Sequence, residues 1–137
     1  MRTTSLITLA ATALVSSASA RINGFTLPDT IYLDADVPIT ITTEGYIQSV
    51  QDVSIAFGIA PAAQADPKTL GTRLLSSKFL GPDNSNTYDN ITHYVHIPSS
   101  LASGDAVVTA ALTSLYGAFY GPVLTYFTKN VTVLTRP

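Results

Sequence analysis

The chain has 137 residues, 46% of them hydrophobic and only 12% charged, with seven basic and nine acidic side chains. The charges are scattered and form no basic run, which argues against nucleic acid and anionic membranes as partners, since both are held by clustered Lys and Arg. Cysteine is absent, so neither a disulfide nor a thiolate enters the chemistry.

Met1-Arg2-Thr3-Thr4-Ser5 is a short, positively charged start. Leu6 to Val15 is apolar apart from two threonines, and Ala18-Ser19-Ala20 is a small-x-small exit. Together they read as a secretory signal peptide. The apolar run is too short to cross a bilayer, which takes about 20 residues, and no other stretch is a candidate span. The expected division is residues 1–20 as leader, cleaved between Ala20 and Arg21, and residues 21–137 as a single domain. Removing Arg2 with the leader leaves 117 residues and six basic side chains against nine acidic ones, a net charge of −3. A domain of that size can build a core without disulfides. The expected location is extracellular. A chain without cysteine would also survive a reducing compartment such as another cell's cytosol.

From Val37 onward the apolar residues alternate with period two. Val37, Ile39 and Ile41 form one row; Val53, Ile55, Phe57 and Ile59 form a second. Ile91, Val95 and Ile97 share a parity opposite to Thr92, Tyr94 and His96, and Val108, Ala110 and Leu112 repeat the pattern, as do Phe127, Val131 and Val133. Such alternation marks strands with one buried face. Turn chemistry separates the runs at Leu27-Pro28-Asp29, Asp34-Ala35-Asp36, Ala60-Pro61 to Pro67, Gly81-Pro82-Asp83-Asn84, Pro98-Ser99-Ser100 and Gly121-Pro122. Ala62 to Leu70 has room for a helical turn, and Leu70 to Leu80 is clean in neither parity. The prediction is an all-β, immunoglobulin-like, two-sheet antiparallel sandwich of about seven strands. A corner at Ile97–Asp105 precedes a long strand from Ala106 to Leu115.

Candidate chemistry is sparse. His93 and His96 are three apart, which in a strand sends them to opposite faces. No shared metal site is expected, and His93 reads as a half-buried, hydrogen-bonded histidine. Asp83 to Asn90 is rich in oxygen ligands but lacks the glycine and closing Glu of an EF-hand, so it reads as a polar hairpin loop. There is no G-x-S-x-G, and no pair of carboxylates singles itself out, so no catalytic residue, cofactor or metal is assigned. Asn90-Ile91-Thr92 and Asn130-Val131-Thr132 are glycosylation sequons on the outward parity of their strands. Tyr116-Gly117-Ala118-Phe119-Tyr120-Gly121-Pro122 interleaves three aromatics with glycines between two strands. Tyr116, Phe119 and Tyr120 are thus candidate partner-binding residues; the competing reading has these rings cover the open end of the core.

RINGFTLPDTIY, from Arg21, and ADVPITITTEGYIQSVQDVSIAFGIAP, ending at Pro61, resemble the necrosis-inducing secreted protein family of fungal effectors. The later segments THYVHIPSSLASGDAVVTAALTSLYGAFYGPVLTYF and NVTV resemble it too, so the likeness covers nearly the whole mature chain. The resemblance implies a non-enzymatic secreted effector. It would suppress pattern-triggered immunity in plants by binding immune receptor-associated kinases, and provoke cell death when overproduced. It implies no family-wide binding residues. Two other classes stay open on the residues alone. One is a carbohydrate- or cell-wall-binding module, against which the absence of Trp counts. The other is a small hydrolase.

Overall fold

The computed structural model describes residues 19–82 and 84–136. Residues 1–18 of the expected 1–20 leader and Asp83 of the oxygen-rich loop lie outside the described residues. Eight strands occur in chain order: β1 (Ser19–Thr26), β2 (Thr30–Tyr32), β3 (Asp36–Tyr46), β4 (Val50–Pro61), β5 (Arg73–Phe79), β6 (Ile91–His96), β7 (Gly104–Tyr116) and β8 (Gly121–Leu134). They build a three-stranded sheet, β1-β3-β6, and a five-stranded sheet, β2-β8-β7-β4-β5. The two-layer all-β architecture is the expected one, with one more strand. β2 accounts for a second difference, because its three residues pair parallel to β8, Thr30 opposite Thr132. The chain leaves the small sheet after β1, lends this short strand to the large sheet, and returns as β3.

The alternation reads directly onto the core. Val37, Ile39, Ile41 and Val95 of the small sheet are buried against Ile55, Phe57, Ile59, Val108, Ala110 and Leu112 of the large one. Phe25 and Phe57 meet edge to face across the layers, with centroids 5.4 Å apart. Fully burying a side chain of this size is worth about 1.5–3 kcal/mol, so this double row supplies the main stabilisation. Pro38 sits in β3, the central strand of the small sheet, without breaking it. β1 stops at Thr26 opposite Thr40, so Pro38 faces no β1 partner that needs its missing N–H.

Two segments behave differently from the sequence pattern. A bulge between Asp52 and Ser54 inserts Val53 and reverses the parity of β4. Val50 and Asp52 point inward before it; Ile55, Phe57 and Ile59 point inward after it. Val53, expected in the apolar row, is displaced to a half-buried position. Leu70 to Leu80, unreadable by parity, supplies the edge strand β5. Both of its faces are partly open, since β4 flanks it on one side only.

Between β4 and β5 the chain makes a single 3-10 turn, Ala62–Gln64, and folds back over the outer surface of the large sheet. Gly58 permits this: a Cβ there would lie 1.9 Å from the carbonyl oxygen of Leu70. Asn84 to Asn90 is not a hairpin loop, because β5 and β6 belong to different sheets. It is part of a connection between layers, and its Ser85 is buried.

Candidate binding site at the hairpin end

β7 and β8 form the longest hairpin, and no charged side chain occurs between Ala106 and Thr128. Its tip is a tight turn in which the Tyr120 N–H donates to the Gly117 carbonyl, 3.3 Å away. Gly117 has φ 76° and Tyr120 φ 53°. Glycine adopts that left-handed backbone freely, whereas a tyrosine held there costs of order 1–3 kcal/mol. The Gly117 N–H donates to the Ser49 carbonyl at 2.9 Å, tying this tip to the β3–β4 connection.

The three aromatic candidates divide. Phe119 is 98% exposed and Tyr120 61% exposed, so neither ring plugs the end of the core. Tyr116 is half-buried and packs edge to face on Tyr46, centroids 5.9 Å apart. Below that pair, the Arg21 guanidinium lies 4.0 Å from the Tyr46 ring centroid and its Nε donates to Glu44 Oε1 at 2.9 Å. The Glu44 hydrogen bond is the main reason the Arg21 pKa is raised. Arg21, Glu44, Tyr116, Thr125 and Phe127 line a hollow of about 170 Å³ beneath the tip. Tyr116 is therefore a support that braces two hairpins, and Phe119 and Tyr120 are the rings it presents. Ile47, in the neighbouring β3–β4 connection, is 94% exposed and was not among the candidates. Its only signal in the sequence is a large apolar residue inside a turn.

Beneath this end lies a buried polar cluster that sequence reading missed. Asp52, 1% exposed, accepts from Ser114 Oγ at 2.7 Å and from the Ile22 N–H at 3.1 Å. Its own N–H donates to Ser85 Oγ at 2.8 Å, and the next residue, Asn86, accepts the Ala20 N–H at 2.6 Å. β1 and β7 thus meet at the Asp52 carboxylate, and the inter-sheet connection is tied to the same residue through its backbone N–H.

The two histidines do face opposite ways. His93 is half-buried, 2.8 Å through Nε2 from Ser76 Oγ and stacked on Phe57. Its pKa is lowered, chiefly by burial and then by Lys78. His96 is exposed, with Nδ1 2.8 Å from Asp36 and Nε2 3.2 Å from Asp34. Its pKa is raised, chiefly by the Asp36 hydrogen bond. Asp34-Ala35-Asp36 is thus a turn whose two solvated carboxylates share one imidazole. Among the described residues no group of three or more His, Cys, Asp or Glu side chains is placed to hold a metal. Asn90 and Asn130 are both exposed.

Comparison with known proteins then adds sequence relatives. The Nis1 family profile matches residues 18–132. Necrosis-inducing secreted protein 1 of Colletotrichum orbiculare is 53% identical over 124 residues, covering 90% of this chain and 75% of that protein. The protein of the same name from Colletotrichum higginsianum is 52% identical over 124 residues, covering 90% of this chain and 85% of that one. A solved CARDB domain from Pyrococcus furiosus, in complex with di-metal ions, superposes with a TM-score of 0.44 at 12% identity. That superposition covers 85% of this chain and 87% of the other, and at this likeness it carries no argument.

Proposed function

Because the chain belongs to the Nis1 family of secreted proteins, we propose that it is a necrosis-inducing effector that acts by binding another protein and has no reaction of its own. The partner in this reading is a receptor-associated kinase of plant immunity, whose engagement suppresses pattern-triggered defence. The binding element is the β7–β8 tip, with Phe119 and Tyr120 as anchors and Tyr116 as their brace.

One observation carries the assignment of the tip: Phe119, a large apolar ring, is 98% exposed on a turn fastened to its neighbour by the Gly117–Ser49 hydrogen bond. A rigid exposed aromatic loses little conformational entropy on binding, which is why such rings dominate interfaces. The test is titration of the secreted protein against the purified cytosolic domain of such a kinase. Phe119→Ala and Tyr120→Ala should each weaken binding by about 1–3 kcal/mol, and Phe119→Ala should leave the melting temperature in place. Unchanged affinity in both variants would remove the tip from the interface.

A further inference from the structure

We infer that the secreted chain is released between Ala18 and Ser19, two residues upstream of the bond that the Ala18-Ser19-Ala20 exit suggests. β1 starts at Ser19, with Ser19 opposite Tyr46 and Ala20 opposite Gly45. Ala20 is completely buried, 0% exposed, and its N–H donates to Asn86 Oδ1 at 2.6 Å. That bond helps hold Asn86, whose φ of 59° puts a non-glycine residue in left-handed backbone.

A cut after Ala20 would discard the Ala20 contacts and create an ammonium at Arg21, inside the ladder and one residue from the Ile22 N–H that Asp52 accepts. The protease that removes leaders meets the chain unfolded and reads small residues at the −1 and −3 positions. Ser16-Ser17-Ala18 satisfies that rule as well as Ala18-Ser19-Ala20 does. Of the two permitted exits, the upstream one leaves β1 whole. The step is a hydrolysis. Water adds across the Ala18–Ser19 amide, the acyl carbon becomes the Ala18 carboxylate of the leader, and the nitrogen leaves as the Ser19 ammonium of the mature protein.

N-terminal sequencing and intact mass of protein secreted by a eukaryotic host should show Ser19 first; a chain beginning at Arg21 or beyond overturns the inference. Ser16→Arg spoils the −3 position of the upstream exit alone, so the secreted product should then begin at Arg21. An unshifted terminus counts against the assignment. Finally, chains 19–137 and 21–137 are compared by thermal melting. The shorter one should melt about 5 °C lower, and equal melting temperatures would remove Ala20 from the fold's requirements.

Discussion

Replacing Asp52 with alanine should destabilise the domain well beyond the loss of one ordinary contact. The carboxylate is 1% exposed and accepts two hydrogen bonds, from the Ser114 hydroxyl and the Ile22 amide. Alanine strands both donors away from water. A buried donor left without a partner costs about 1–3 kcal/mol, so the two together give about 2–5 kcal/mol after partial relaxation. Asp52→Asn keeps one acceptor oxygen but turns an N–H₂ toward a donor, and should recover part of that loss. The double change Asp52→Ala with Ser114→Ala removes the hydroxyl as well as its acceptor. It should therefore cost less than the sum of the single changes, with a coupling of about 0.5–3 kcal/mol. Urea denaturation of the parent protein, the two Asp52 variants, Ser114→Ala and the double variant provides the numbers, provided the slope of the transition stays constant. Hydrogen exchange supplies a local check: the Ile22 amide should lose protection in Asp52→Ala before other β1 amides do. A cost below about 0.5 kcal/mol, the level of ordinary surface substitutions, or an Ile22 amide still protected, would refute the claim that this carboxylate ties β1 to the large sheet.

Gly58→Ala should cost about 1–3 kcal/mol, because the added methyl would collide with the Leu70 backbone; limited proteolysis should then cut the Ala62–Thr72 segment faster. The histidines should titrate on opposite sides of the ordinary value of 6.5, His93 below it and His96 above it, in proton NMR. The linkage signs differ accordingly. His96 contributes stability that is present below 6.5 and lost as pH rises through its raised pKa. His93 contributes stability that is present above 6.5 and lost as pH falls toward its lowered pKa. His96→Gln should therefore remove the alkaline-side loss alone, and His93→Gln the acid-side loss alone. Protein from a fungal host should lose apparent mass on endoglycosidase treatment through Asn90 or Asn130; an unchanged mass would show both sequons unoccupied.

The buried rows of β3, β6, β7 and β8 were legible because period-two alternation depends only on one face being dry. β5 was not legible: an edge strand leaves both parities partly exposed, and Leu74 at 62% and Phe79 at 73% carry no inward or outward signal. Asp52 went unnoticed for a sharper reason. Parity counted back from Ile55 places it outward, and only the bulge at Val53, which no residue type announces, turns it into the interior. Partnership between strands is equally invisible to alternation, so the parallel pairing of β2 and the crossing of Asn84–Asn90 between sheets had no sequence signature. At the hairpin tip the aromatic and glycine spacing did locate the turn. It could not separate the brace, Tyr116, from the exposed rings, since that depends on Tyr46 arriving from β3.

The pairing of β2 with β8 also sets the order in which the molecule can come into being. Thr30 to Tyr32 wait for partners at Thr132 to Leu134, far later in the chain. Until then the large sheet lacks the strand that joins β7 to β2. Closures over such sequence distances are slow, and sheet-dominated domains fold in about milliseconds to seconds. With no cysteine to trap a partial structure covalently, docking of β8 between β2 and β7 is the latch that closes the large sheet. The same latch works in reverse. Pulling β8 free removes the ladder partner of β2 and one of the two neighbours of β7, and that opening has no disulfide to reduce.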